Sequence, residues 1–265
     1  MKLRIATYNI HKGVSAFGTH SRVHALKDAL TAMDADVMFL QEVQGRHDVF
    51  AARHTTHWPE MAQHDFFAGD SHHVVYGMNA VYDHGHHGNA LLSSFPIASS
   101  SNQDVSDHKY ESRGILHCVI KTPTVDVHCY VIHLGLFAAT RRRQNEALVE
   151  AVIRSSPPDV PLIIAGDFND WGNHLSETLR LKLGVAEVFD AQLARQGFGT
   201  YLRQLTGRLP KKIKPAKTFP AGLPMLRLDR IYVRGFTIES AQVMHGAVWA
   251  KLSDHAPIVA TLALK

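Results

Sequence analysis

The sequence predicts one large α/β domain in which strands dominate. Three observations carry this reading. A chain of 265 residues with 45% hydrophobic content is long enough to bury a sizeable core. Short apolar runs rich in β-branched and aromatic residues recur along its length, and two longer stretches instead repeat apolar residues at helical spacing. No Gly/Ser- or Pro-rich linker, repeat of solenoid period or long block of like charge interrupts it, so residues 1–265 are expected to fold as one unit.

In chain order, Leu3 to Tyr8 reads as the first strand. SRVHALKDALTAM follows, where Ser21 can cap and Val23, Leu26, Leu30 and Met33 share one helical face. Val37 to Leu40, Ala90 to Leu92, Ile115 to Ile120 and Val125 to Ile132 read as further strands. Thr140 to Ile153 predicts a second helix with Ala147, Leu148, Ala151 and Val152 on one face; it stops before Pro157 and Pro158 and returns to the strand Leu162 to Ala165. Arg230 to Val233 and Ile258 to Leu262 complete the strands.

The apolar run in MKLRIATYNI is too short for a signal-peptide core, and no later run reaches membrane-spanning length, so a soluble cytoplasmic protein is expected. Cys118 and Cys129 lie in strand-like stretches without ligand spacing and read as buried free thiols. A net charge of +4 fits a protein that handles anions but is more commonly an ordinary solvated surface. Nineteen histidines predict a molecule that becomes considerably more cationic in mild acid.

Single polar residues repeatedly stand where an apolar run ends. Asn9 follows LRIATY, Glu42 follows VMFLQ, His133 follows VHCYVI, and Asp167 and Asn169 follow PLIIAG; Asp229 precedes RIYV, and Asp254 and His255 precede APIVATL. If the last two strands run antiparallel to the others, these residues gather at one rim, where α/β folds place their crevices. Oxygen and imidazole ligands without thiolate suit Mg²⁺ or Mn²⁺ meeting a phosphate. Phosphodiester cleavage needs such parts: a metal to neutralise phosphoryl charge, a carboxylate to orient or deprotonate water, and an imidazole to bond the phosphoryl group as charge grows.

The segments TYNIHKG, LQEV, GNALLS, ESRGIL, VIHLGL, IAGDFND, RLDRIYV and LSDHAPI, in that order over almost the whole chain, resemble the endonuclease/exonuclease/phosphatase (DNase I-like) superfamily, and most of all its small bacterial members. The superfamily includes pancreatic-type deoxyribonucleases, abasic-site endonucleases, neutral sphingomyelinases and inositol polyphosphate phosphatases. The resemblance implies a four-layer α/β/β/α sandwich of two mainly antiparallel sheets and a Mg²⁺-dependent (or Mn²⁺-dependent) phosphoester hydrolase. By motif it implies Glu42, Asn9 and Asp254 around the metal, and Asp167 with Asn169 at the attacking water. It implies His255, held by Asp229, and His133 at the scissile phosphate, with Asn89 and Arg113 binding phosphate oxygens. One position departs from the pattern: His11 stands where abasic-site endonucleases carry an acid, which weakens an abasic-repair assignment.

The implied substrate is a phosphoester, DNA or RNA first and a phospholipid or phosphorylated small molecule second. A silent scaffold retaining the fold is the contrasting class, against which the intact residue set argues. His84, His86 and His87 read as a surface loop near the cleft without a metal, and Arg141, Arg142 and Arg143 as solvated residues opening the second helix. Arg208, Lys211, Lys212, Lys214 and Lys217 form the best candidate for a substrate-facing basic loop, for nucleic acid or anionic lipid, with a solvated loop as the equal alternative.

Overall fold

Alternation along the strands dictates the architecture of the computed structural model, which describes residues 1–15, 18–107, 111–190 and 216–265. On β1 (Lys2–Asn9), Leu3 and Ile5 join one apolar cluster while Ala6 and Tyr8 join another. On β2 (Val37–His47), Val37 and Phe39 divide from Met38 and Leu40 in the same way. Strands apolar on both faces must be covered on both faces. The strands β1, β2, β3 (His73–Tyr82), β4 (Gly85–Ser93), β11 (Phe236–Val243) and β12 (Ile258–Leu264) form a six-stranded sheet ordered β11-β12-β1-β2-β4-β3. β5 (Ile97–Asp104), β6 (Gly114–Lys121), β7 (Asp126–His133), β8 (Leu162–Asp167), β9 (Ala186–Glu187) and β10 (Asp229–Arg234) form the second, ordered β5-β6-β7-β8-β10-β9.

Each sheet is antiparallel except for one parallel pair, β1 with β2 and β7 with β8. The inner faces meet in a core that includes Ile5, Phe39, Leu116, Val131, Ile163, Ile231 and Leu262, each worth about 1.5–3 kcal/mol when fully buried. Outside the first sheet pack α1 (Val23–Ala32) and α3 (Gln63–Ala68), through residues such as Leu26, Leu30 and Phe67. Outside the second pack α4 (Ala138–Ser155) and α5 (Ser176–Leu183), through Leu148, Val152 and Leu179. The four-layer α/β/β/α sandwich is therefore present, with α2 (Asp48–Arg53) and α6 (Ala247–Leu252) as short additions. No helix among the described residues is long and apolar enough to cross a membrane.

Several sequence expectations need correction. Arg22, not Ser21, is the N-cap of α1; Ser21 stands one residue earlier, its hydroxyl donating to the His57 carbonyl at 2.6 Å. The second helix starts at Ala138, and Arg141 lies two turns before Leu148 on its buried face, so this arginine is buried rather than solvated. Its guanidinium donates to the Leu136 carbonyl, while Arg143 chelates Asp107 and Arg142 stays exposed. His86 and His87 lie on β4, not on a loop. Cys118 and Cys129 are buried free thiols facing each other across β6 and β7.

Many histidines also resist protonation. Burial lowers the pKa of His47, His64, His86 and His128 and takes His87 and His117 down to about 4, so mild acid adds less charge than the histidine count predicts.

Candidate active site

Strand register assembles the polar rim. Asn9 pairs with Gln41 across the parallel β1 and β2, which brings Asn9 beside Glu42. Asp167 ends β8 between His133 on β7 and Asp229 on β10, and is the register partner of both. β12 runs antiparallel to β1, so Asp254 and His255, just ahead of it, return to the same rim. The antiparallel condition set by the sequence is met, and the strand-end residues converge.

Local backbone aims the side chains. Gly166 comes so close to β7 that a Cβ there would lie 2.0 Å from the Ile132 carbonyl oxygen. The glycine of GDFN thus permits close strand approach directly before Asp167. Register shifts between Leu40 and Val43, and Glu42 sits in this irregularity at φ 56°. His11, Lys12 and Asn169 also hold positive φ. Each costs about 1–2 kcal/mol for a residue with a Cβ, a strain that gathers at functional sites.

Asp167 is the hub. Its Oδ2 accepts from Asn9 Nδ2 at 3.2 Å, which stitches one sheet to the other, and lies 3.5 Å from His133 Nε2 and 3.7 Å from His255 Nε2. Its Oδ1 accepts from the Asn169 amide N–H at 2.9 Å, and the Asn169 side chain is tied to the Leu134 carbonyl. Burial raises the Asp167 pKa to about 6, against the pull of His255. His255 Nδ1 bonds Asp229 Oδ2 at 2.8 Å. Burial alone would strip His255 of its proton; Asp229 and then Asp167 overcome this and lift its pKa to about 10. His133 has no such carboxylate pair, and burial beside Arg113 and His255 holds it well below the ordinary range, hence neutral.

The rim therefore carries a cationic imidazole, a neutral one and a carboxylate that ionises near neutrality. Ser253 ties this group to β1, its hydroxyl donating to the Asn9 carbonyl at 2.7 Å and accepting from the His255 amide at 3.2 Å.

Glu42 and Asp254 stand at the more open side. Their side chains are 18% and 33% exposed, with Lys12 Nζ 3.8 Å from Glu42 and His11 Nδ1 3.1 Å from Asp254. The hydrogen bond to Asp254 raises the His11 pKa; the Asp254 pKa is lowered, burial notwithstanding, by that same bond. Asp167, Asp229 and His255 also offer ligand atoms within 4.8 Å of one another. That trio is a poor cage for a hydrated cation, because its side chains are at most 7% exposed and His255 Nδ1 is already engaged by Asp229. The partly open carboxylates of Glu42 and Asp254 with the Asn9 amide are the better fit, with hard oxygen donors and room for water.

Arg113 donates to the Leu134 and Ser112 carbonyls and acts electrostatically on both His133 and His87, so it lies at the rim. Asn89 differs from its expectation. Its amide nitrogen is spent on the Gly114 and Val131 carbonyls at 3.0 and 3.5 Å, a buried bridge between the sheets, and that donor is not turned to the rim. Lys12, not singled out in the sequence, and His87, read there only as part of a surface loop near the cleft, are both within electrostatic reach of Glu42, and His87 Nδ1 is buried without a hydrogen-bond partner. Of the basic segment, Arg208, Lys211, Lys212 and Lys214 lie outside the described residues. Lys217 lines a cleft of about 670 Å³ with His245 and Ala221. A second cleft of about 410 Å³ shares Ala221 and runs past Arg22 and Lys251 to Asp254.

Comparison with known proteins gives one consistent result. Residues 6–255 match the Endonuclease/Exonuclease/phosphatase family model. An uncharacterised protein of Escherichia coli (strain K12), YbhP, is 38% identical over 264 residues, spanning 98% of this chain and 96% of its own. Among solved structures, the endonuclease/exonuclease/phosphatase from Bacteroides vulgatus has a TM-score of 0.73 at 15% identity, with complete coverage of both chains. D. rerio TDP2 complexed with single-strand DNA product has 0.68 at 19% identity, with 99% of each chain covered.

Proposed function

The chain belongs to the endonuclease/exonuclease/phosphatase family, whose enzymes hydrolyse phosphoester bonds and generally use divalent metals, and on that premise we propose that it is a Mg²⁺- or Mn²⁺-dependent phosphodiesterase acting on nucleic acid. The observation that carries this reading is the Asp229–His255–Asp167 line, in which one buried histidine is held cationic beside a carboxylate that ionises near neutrality. An imidazolium matches a phosphoryl group gaining charge, and an anionic carboxylate matches a water losing its proton.

Each residue then has a role. Asp167 accepts the proton of the attacking water, oriented by Asn9 and by the Asn169 amide. His255 donates Nε2–H to a non-bridging phosphoryl oxygen while Asp229 fixes its ring through Nδ1. His133, neutral, hydrogen-bonds the phosphate on the other side of Asp167. Arg113 supplies fixed positive charge, and Asn89 acts by holding the two sheets together. Glu42, Asp254 and Asn9 would hold the cation, which when bound neutralises phosphoryl charge. Water attacks phosphorus in line, the new P–O bond forming as the opposite P–O ester bond breaks and the departing alkoxide takes its proton from solvent, without a covalent enzyme intermediate.

Nucleic acid is favoured by the basic groups along the cleft from Asp254, Arg22 and Lys251, and by the TDP2 complex with single-strand DNA product on the same fold. Asn9 and His255, near opposite ends of the chain, meet in one site, which supports a single domain over residues 1–265. The free buried thiols fit the reducing cytoplasm.

The test is Mg²⁺- and Mn²⁺-dependent nicking of supercoiled plasmid by pure protein, with Glu42→Ala and His255→Ala prepared in parallel. Activity lost in both variants supports the reading. Absence of nicking, with Glu42-dependent hydrolysis of phospholipids or inositol phosphates, transfers the site to those substrates. Silence on all of these leaves a binding protein and refutes the hydrolase.

A further inference from the structure

Beside the reacting centre lies an exposed aromatic surface that the hydrolytic roles leave unused. Trp171 is 54% exposed, and Leu136 and Phe137 are 59% and 65% exposed. Trp171 follows Asn169 by two residues, at most about 7 Å of backbone, and Leu136 follows His133 by three. The two loops that follow the water-activating and phosphate-facing residues at the ends of β8 and β7 therefore carry these apolar side chains.

Arg141 joins the loops. It is only 4% exposed, donates through Nη1 to the Gly135 and Leu136 carbonyls, and sets its guanidinium carbon 4.7 Å from the Trp171 ring centroid. One face of the indole is thus backed by a buried cation that is itself fixed. The loop beneath is pinned as well: Asp170 Oδ2 accepts from the Leu175 amide at 2.9 Å, and the Asp170 carbonyl accepts from buried Arg230 at 2.7 Å. An exposed indole held rigidly on one face presents its other face as a flat platform.

We propose that Trp171, backed by Arg141, is the platform on which one base of a single-stranded nucleic acid stacks next to the scissile phosphate. The proposal rests on the nucleic-acid reading of the site. Every base has a π-face, so a rigid aromatic beside a phosphate site recognises a nucleotide without reading its sequence. In a duplex both faces of a base are covered by its neighbours, so this platform selects single strands or frayed ends. The pinned loop and the buried cation favour a base over a lipid surface, which is served by protruding apolar side chains free to sink into acyl chains.

The first measurement is binding of fluorescein-labelled oligothymidylate, in EDTA to prevent turnover, followed by anisotropy for wild type, Trp171→Ala, Trp171→Phe and Trp171→Leu. The expected result is about a tenfold weaker Kd for Trp171→Ala, the size of one base stack, with rescue by Phe and not by Leu. Equal Kd values, or rescue by Leu as good as by Phe, overturn the stack. Because no hydrolysis is read, this outcome is independent of the phosphodiesterase reading.

The second measurement is a cycle on kcat/KM: wild type and Trp171→Ala against an oligonucleotide and the same strand with an abasic position scanned along it. Losses from removing the base and from removing the indole should overlap at one position adjacent to the cut. Losses that multiply at every position refute the contact. If Trp171→Ala instead weakens sedimentation with phosphatidylserine-containing vesicles and leaves oligonucleotide binding intact, the patch faces lipid and the proposal fails.

Discussion

Replacing Asp229 by Asn tests the electrostatic core of the site. Asp229 Oδ2 lies 2.8 Å from His255 Nδ1, and the two side chains are 1% and 7% exposed. With charge centres roughly 4 Å apart and an effective dielectric of about 20, their attraction is about 4 kcal/mol, or about a thousandfold in proton affinity. Wild-type His255 keeps its proton up to about pH 10. In Asp229→Asn the proton should be lost near neutrality, while the ring remains hydrogen-bonded. The cost to kcat should therefore grow with pH. About tenfold is expected at pH 6, where the ring is still charged but less firmly oriented, and about a thousandfold at pH 9. The assay is kcat for a model phosphodiester across that range, with thermal melting to verify folding. An NMR titration of His255, assigned by difference from His255→Asn, accompanies it. A penalty that is the same at pH 6 and pH 9, or a His255 that titrates alike in both proteins, refutes the argument.

Three further outcomes follow from the same geometry. Because burial raises Asp167 to about 6 and only its anion accepts a proton, kcat should climb as pH rises through about 6. The same shift means that Asp167 loses stability as pH rises through that window, so Asp167→Asn should abolish turnover yet melt higher relative to wild type at pH 8 than at pH 4. Glu42→Gly relieves a left-handed backbone at φ 56° and should stabilise the fold by about 1 kcal/mol, while isothermal titration shows loss of Mn²⁺ binding; retained binding would remove Glu42 from the metal site. Asn89→Ala leaves the Gly114 and Val131 carbonyls without their inter-sheet donor and should cost about 1–3 kcal/mol, a drop of a few degrees in Tm; an unchanged Tm would deny the bridge.

Strands buried on both faces announce themselves in sequence, and those are the ones composition exposes: β1, the start of β2, β6, β7 and β8. β5, IASSSNQD, is hidden because it is an exposed edge strand, and serine and asparagine cost little where no face needs covering. β11, FTIESAQV, carries alternation with Phe236 and Ile238 inward, a signal that a search for continuous apolar runs passes over. β2 continues to His47 because bulges carry it past Glu42 through polar residues paired to β4, and that pairing is tertiary.

The place of the candidate site was legible for a related reason. Asn9, His133, Asp167, Asp229 and His255 each stand at or beside a strand end, so the order of apolar runs already places them at termini, and only strand direction is left to fix which rim they share. Residues that reach the rim from within an element give no such signal. His87 arrives through the β2–β4 register, and Arg141 lies on the buried face of α4 two turns before Leu148, although its charge reads as that of a solvated residue. Asn89 shows the converse: a motif fixes its place in the chain, but whether its amide meets a phosphate or a carbonyl depends on the second sheet passing within hydrogen-bonding distance. Sequence pattern carries the positions of chemistry-bearing groups along strands, and the packing of one sheet on the other decides which of those groups remain free to act.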